Sequence, residues 1–173
     1  RNLRNTSTSF SHSEHPYRHQ GSADINLYKL FLEAAHGLLR KGGRLGIIVP
    51  SGLYSDNGTG PLRELFINRC SWEWLFWFEN REGIFDIHRS FKFNPIIVQK
   101  GGETSAIRTA FMRRKLVDWE NAEDHAIDYP KEQVEQFSPW SKAILEIQSE
   151  QDLEILKKIY ANSVLLGDQS EKG

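Results

Sequence analysis

His12, His15 and His19 stand three and four residues apart, a spacing at which imidazoles could share a metal ion. A closed metal site asks for four ligands, and neither a cysteine nor a second cluster completes this one, so plain loop is the stronger reading. Arg18 and His19 could touch a phosphate, but one or two basic residues carry little information. The single cysteine, Cys70, would be a nucleophile only beside a base or a cationic group. None accompanies it, and a small buried hydrophobe is expected. The aromatic run Trp72–Phe78, WEWLFWF, could stack nucleic-acid bases, yet almost no lysine or arginine is interleaved with it, so it reads as core. The run SGLYSDNGTG, residues 51–60, is small, polar and glycine-rich, and can be an ordinary turn or a functional loop.

The element before that loop decides how it is placed. Leu27, Leu30, Phe31, Ala34, Ala35 and Leu38 fall on one helical face, with Asp24 as N-cap and Gly42 and Gly43 as the stop. Arg44–Pro50, RLGIIVP, is too short for a helix and too continuously apolar for a half-exposed strand, which predicts a strand covered on both faces, as in a parallel sheet. Ligands of open α/β sheets bind beyond the carboxyl ends of strands, so residues 50–60 are the first place to look for function. Pro61 suits the first turn of a short helix with Leu62, Leu65 and Phe66 on one face, ending near Arg69 or Cys70. Residues 72–78 and 93–100 read as two strands joined without a helix, hence antiparallel neighbours, with Pro95 at a bulge or an edge. SAIRTAFMRR, residues 105–114, can be a strand or one helical turn, and 115–139 read as charged and irregular. Ser149 and Asp152 open a last helix with Leu153, Leu156, Ile159 and Tyr160 on its face.

A chain of 173 residues with 39% hydrophobic content can bury one sizeable core. The net charge of −1 supplies no global basic field, although a local patch would suffice for nucleic acid. One cysteine excludes an internal disulfide framework and points to a reducing, cytoplasmic setting. No apolar run approaches the length needed to span a bilayer. Residues 1–21 are polar and aperiodic, a loop or a truncated edge. Opening on Arg1 and closing on SEKG, the chain is expected to be a piece of a longer protein.

NLYKLFLEAAHGLLRKGGRLGIIVPSGLY, then PLRELF, then GIFDIHRSFKFNPIIVQKGG closely resemble one continuous region of the amino-group (N6-adenine) DNA methyltransferases. The branch is the one in which the cofactor motif precedes the catalytic motif. The resemblance covers residues 22–102 and implies an α/β fold: a partial Rossmann-like class I methyltransferase sheet, its later strands closed by an antiparallel hairpin. In that family the helix like 24–40 follows the catalytic Asn/Asp-Pro-Pro-Tyr loop, and the strand like 44–50 is the next parallel strand. Residues 22–103 would then be the second half of a catalytic domain. Residues 104–173, whose FSPWSKAIL and DLEILKKIY also resemble the connector of fused restriction–modification enzymes, would lead toward a target-recognition domain.

The chain lacks the Asn/Asp-Pro-Pro-Tyr motif and the glycine-rich cofactor loop. Asn94-Pro95 does not replace the former, being followed by Ile96 and Ile97 and standing in the wrong place relative to the helix. Both motifs are expected upstream of Arg1. What the resemblance implies is methyl transfer from S-adenosyl-L-methionine to N6 of an adenine flipped out of double-stranded DNA. By the same likeness Leu27 and Phe31 would pack against the cofactor's adenine ring, although both also suit plain helix core. Phe85 would stack on the flipped base, with Phe91 and Phe93 as competitors. A class I methyltransferase acting on a protein amide or RNA, and a non-catalytic DNA-binding fragment, are the other readings.

Overall fold

The computed structural model describes residues 17–21 and 26–164. Helix α1 spans Leu27–Leu38 and strand β1 Arg44–Pro50; a short helical turn, α2 (Gly52–Ser55), leads into α3 (Gly60–Arg69). Strand β2 (Cys70–Glu79) follows at once, then β3 (Lys92–Lys100) and β4 (Ala106–Arg113). The turn α4 (Val117–Glu120), strand β5 (Ile127–Pro130), α5 (Lys131–Phe137) and α6 (Glu150–Ala161) complete the described chain. The five strands form one sheet in the order β1-β3-β2-β4-β5. β3 is antiparallel to both β1 and β2, β2 is parallel to β4, and β4 is antiparallel to β5. The antiparallel pairing expected of residues 72–78 and 93–100 is present, and of the segment 105–114, Ala106–Arg113 is strand rather than helix.

Five expectations are corrected. β1 is the edge strand and alternates in exposure, instead of lying between parallel neighbours with both faces covered. Its run is continuously apolar, yet Ile48 is left exposed. The N-cap of α1 is Asn26, whose side chain accepts the Tyr28 amide; Asp24 lies outside the described residues. The apolar stripe of α1 faces outward at Leu27, Phe31 and Leu38, while Leu32, Lys29 and Glu33 are the residues it buries. The segment 115–139, expected to be irregular, contains α4, β5 and α5. Ile159 of α6 is exposed, whereas Leu153, Leu156 and Tyr160 pack inward.

Alternation along β2 sends its side chains to opposite faces of the sheet. Trp72, Leu75 and Trp77 join the main core with Leu62, Leu65 and Phe66 of α3 and with Tyr129, Phe137 and Leu153. Phe76 and Phe78 form a smaller cluster with Phe93 and Ala110 on the other face. Trp119 of α4 covers part of that face, 4.5 Å from Phe76 between ring centroids. Beyond Trp119 the face is open. Cys70 is fully buried, and burial pushes its thiol upward, as suits a core residue.

Candidate functional site

Both segments singled out by position lie at one end of the sheet, because Pro50 of β1 is paired with Phe93 of β3, and Lys92 of β3 with Glu79 of β2. The segment after β1 turns inward. Leu53, Tyr54 and Thr59 are buried, and the Tyr54 hydroxyl donates to Glu146 at 2.5 Å. Arg63 of α3, with no solvent-accessible surface, donates to the carbonyls of Leu53 and Asp56 at 2.7 Å and to that of Ser141 at 2.7 and 3.0 Å. Burial pulls its guanidinium down to about 10. The carbonyl of Tyr54 accepts the Ile144 amide at 3.0 Å, so residues 51–56 are tied to residues 141–146. α1 runs back along the sheet and brings the Tyr28 hydroxyl beside Gly52. Its first turns, with Leu27 and Phe31, thus stand near the β1 exit.

The loop after β2 turns outward. Asn80 is fully buried, and its side-chain amide donates to the carbonyls of Phe85 (2.9 Å) and Ile87 (3.0 Å) while its oxygen accepts the Phe85 amide (2.9 Å). Gly83 sits at φ +71, a left-handed turn against which the Arg89 guanidinium packs. Held this way, Phe85 is 40% exposed and meets Phe93 edge-on, 4.9 Å between centroids at 81°. Phe93 is buried and stacked on Phe78 at 5.5 Å, so it supports the site without presenting a face. Phe91, 49% exposed, is the remaining competitor. Phe85, Ile84 and Phe93 line one side of an open cleft of about 460 Å³ whose floor is Ile48, Pro95 and Ile97. Leu116 and Trp119 line it as well, and its walls are almost wholly apolar.

Leu27 and Phe31 do not line this cleft; they are 69% and 64% exposed on α1. Neither is buried among the described residues. Asn94 is buried inside β3, donating to the Phe76 carbonyl at 2.8 Å, and is a sheet tie. His19 belongs to a small hydrogen-bond network. Glu33 accepts its backbone amide and its Nδ1, together with Gln20 Nε2. His12 and His15 lie outside the described residues, among which no group of three or more potential metal-ligating side chains occurs. Sequence reasoning missed Asn80, Glu79 and Arg63. The signal for Asn80 was available in Asn80-Arg-Glu-Gly83, a polar residue that can bond nearby backbone followed by a left-handed glycine.

With this geometry in hand, residues 2–85, just under half of the chain, match the sequence model of the Eco57I restriction-modification methylase family. The matched residues overlap the region, 22–102, on which the resemblance rests. The fold is similar to that of a modification subunit of a putative type I restriction enzyme from Vibrio vulnificus YJ016 (TM-score 0.53, 18% identity, 74% of this chain and 33% of that one). It is similar also to a chain of a type I restriction–modification system solved for its complex assembly and conformational transition (TM-score 0.52, 15% identity, 82% and 39%). The sheet is accordingly a partial Rossmann-like α/β sheet. The chain spans a third to two fifths of the length of these solved relatives. No curated protein sequence matches it significantly. No helix among the described residues is long and apolar enough to cross a membrane.

Proposed function

We propose that this chain is part of a site-specific DNA methyltransferase of a restriction–modification system, acting on the N6 amine of adenine. The observation that carries the reading is Phe85. A buried asparagine holds an exposed aromatic at the mouth of an apolar cleft, at the sheet end where methyltransferase substrates gather, in a chain whose first half matches a modification methylase. A protein side chain that only plugged a loop would need no such fixation. The residues present suit one wall of an S-adenosyl-L-methionine site: Leu27 and Phe31 offer exposed apolar surface near the β1 exit, of the kind an adenine ring covers. When bound, that cofactor supplies the electrophilic methyl.

The chain's own contribution is positional. The adenine amine is a poor nucleophile because its lone pair is delocalised into the ring, and the base is out of reach inside a duplex, so extrusion and alignment carry much of the rate. Phe85 offers a π-face to the extruded base, Phe93 backs Phe85 from the side, and Asn80 keeps the loop from collapsing into the cleft. Residues 104–164 would link this half-domain to a target-recognition domain, the association being with other parts of a longer protein and with double-stranded DNA.

The test uses the full-length protein with duplex DNA and methyl-labelled S-adenosyl-L-methionine, followed by digestion to nucleosides. Label in N6-methyl-deoxyadenosine is expected; label on cytosine, on RNA or on protein instead would overturn the reading. Stacking of a base on an aromatic is worth about 1–3 kcal/mol, so Phe85→Ala should slow transfer about ten- to a hundredfold while Phe85→Trp keeps most of it. Equal rates for wild type and Phe85→Ala would pass the role to Phe91.

A further inference from the structure

The corner beside Phe85 carries an arrangement of charge that base stacking does not use. Glu79, the last residue of β2 and nearly buried, accepts Nε of Arg81 on one oxygen at 2.9 Å and Nε of Arg114 on the other at 3.0 Å. The two arginines come from different segments, one after β2 and one after β4, and are drawn together by that single carboxylate. Each spends its Nε on Glu79 and keeps more than half of its side chain in solvent. A third guanidinium, that of Arg89, is braced against Gly83 and donates to the Arg81 carbonyl at 3.1 Å. Arg113 carries a buried Nε that has no partner among the described residues. Met112, at φ 58, turns the chain where β4 ends, just before these arginines.

The charge balance points outward. Arg81, Arg114 and Arg89 gather around the single carboxylate of Glu79, the first two by ion pairs and the third through the Arg81 carbonyl. Glu79 is already shared between two arginines, and Asp118 accepts the amides of Arg114 and Lys115. In a chain of net charge −1, this corner is a local excess of fixed guanidinium. Arginines held by their Nε present their remaining amino groups as a fork, which fits phosphate oxygens better than a lysine does.

We propose that Arg81 and Arg114, splayed by Glu79 and flanked by Arg89, form a clamp for backbone phosphates of the DNA strand that passes Phe85. The proposal rests on the methylase reading and adds the surface by which the duplex is registered against the site, since phosphate contacts set position and not sequence.

Binding of a duplex oligonucleotide by the full-length protein, measured across a salt series, tests it. Each phosphate neutralised contributes about 0.9 to the slope of log affinity against log salt. The R81Q/R114Q double variant should lose about two from that slope, at a lowered melting temperature because Glu79 loses both partners, and R89Q about one at unchanged melting temperature. R44Q removes an ion pair with Glu73 at the other end of β1 and should leave the slope unchanged. R89Q tests the clamp independently if the double variant fails to fold. A wild type that binds no duplex DNA would sink the methylase reading itself. A wild type that binds with the same slope as all the variants would sink the clamp alone. Duplex RNA of the same sequence binding with equal slope and equal losses would overturn the assignment to DNA.

Discussion

Two loops leave the sheet at the same end and are built on opposite principles. Residues 51–59, after β1, bury Leu53, Tyr54 and Thr59 and are gripped from below by Arg63. Residues 80–91, after β2, expose Phe85, Ile87 and Phe91 and are gripped from within by Asn80. Each has one fully buried polar side chain satisfying several backbone groups that no sheet ladder reaches, because buried peptide groups left unpaired are costly. The difference lies in what the fixation achieves. Arg63 reaches across to Ser141 and joins two parts of the chain, so the first loop is a structural joint. Asn80 bonds only its own loop, so the second is a self-contained platform that can present side chains outward.

The sharpest way to break this contrast is at Arg63. Arg63→Met keeps length and apolar bulk but strands the carbonyls of Leu53, Asp56 and Ser141, and each such group costs about 1–3 kcal/mol if water cannot reach it. Relief from burying a guanidinium offsets part of this, since buried charge is itself expensive. A net loss of about 3 kcal/mol is expected, seen as a lower denaturant midpoint. Faster amide exchange should appear at residues 51–56 and 141–146 together. Exchange rising at only one of those segments would show that Arg63 is not a joint between them.

Asn80→Ala should act on a smaller scale and stay local. It removes three hydrogen bonds to the backbone of Phe85 and Ile87, leaving groups that solvent can partly reach, for about 1–2 kcal/mol. The expected reading is a roughly tenfold or greater rise in exchange of the Phe85 amide with little change in the unfolding midpoint. Asn80→Asp keeps the acceptor and loses both donors, so it should fall between alanine and wild type. A midpoint that drops as far as in Arg63→Met would erase the distinction between platform and joint.

What could be read from the sequence followed the same division. The hairpin, the Pro61 helix, the Ser149 cap and the buried Cys70 rest on local chemistry, and all are found. The apolar stripe of α1 and the apolar run of β1 were read as covered surfaces, and the structure leaves Leu27, Phe31 and Ile48 exposed. Periodicity says that a face is apolar but not which segment covers it, and here no described residue covers Leu27, Phe31 or Ile48. The corner of Glu79, Arg81 and Arg114 was invisible because its members are 35 residues apart and meet only through the parallel pairing of β2 with β4. Phe85 was singled out by resemblance; what holds it exposed, Asn80, depends on a fold of the loop back onto itself.

The smallest expected effect separates the two loops by pH. Residues 17–21 lie against the joint: Gly21, at φ +71, approaches the Gly58 carbonyl so closely that any Cβ there would collide with it. That segment is held by Glu33, whose carboxylate accepts the amides of Arg18 and His19, the His19 ring nitrogen and the Gln20 amide. Burial pushes the Glu33 carboxyl up, but those hydrogen bonds from His19, Gln20 and Arg18 outweigh it and hold the group below its usual 4.5. A carboxyl held low in the folded protein stabilises it above its unfolded value, and that contribution is lost as pH falls through the folded value. Acidification below about 4.5 should therefore release residues 17–21 and raise exchange at Gly58 and its neighbours in the joint. Glu79 is also held low, by Arg81 and Arg114, and its protonation loosens the arginine pair. Asn80 does not titrate, so the Phe85 amide should stay protected over the same interval. Glu33→Gln should abolish the acid step at residues 17–21 and 57–59 and leave the Phe85 amide as it was. Loss of protection at Phe85 in step with Gly58 would mean that the two loops are one cooperative unit, whatever their separate hydrogen bonds.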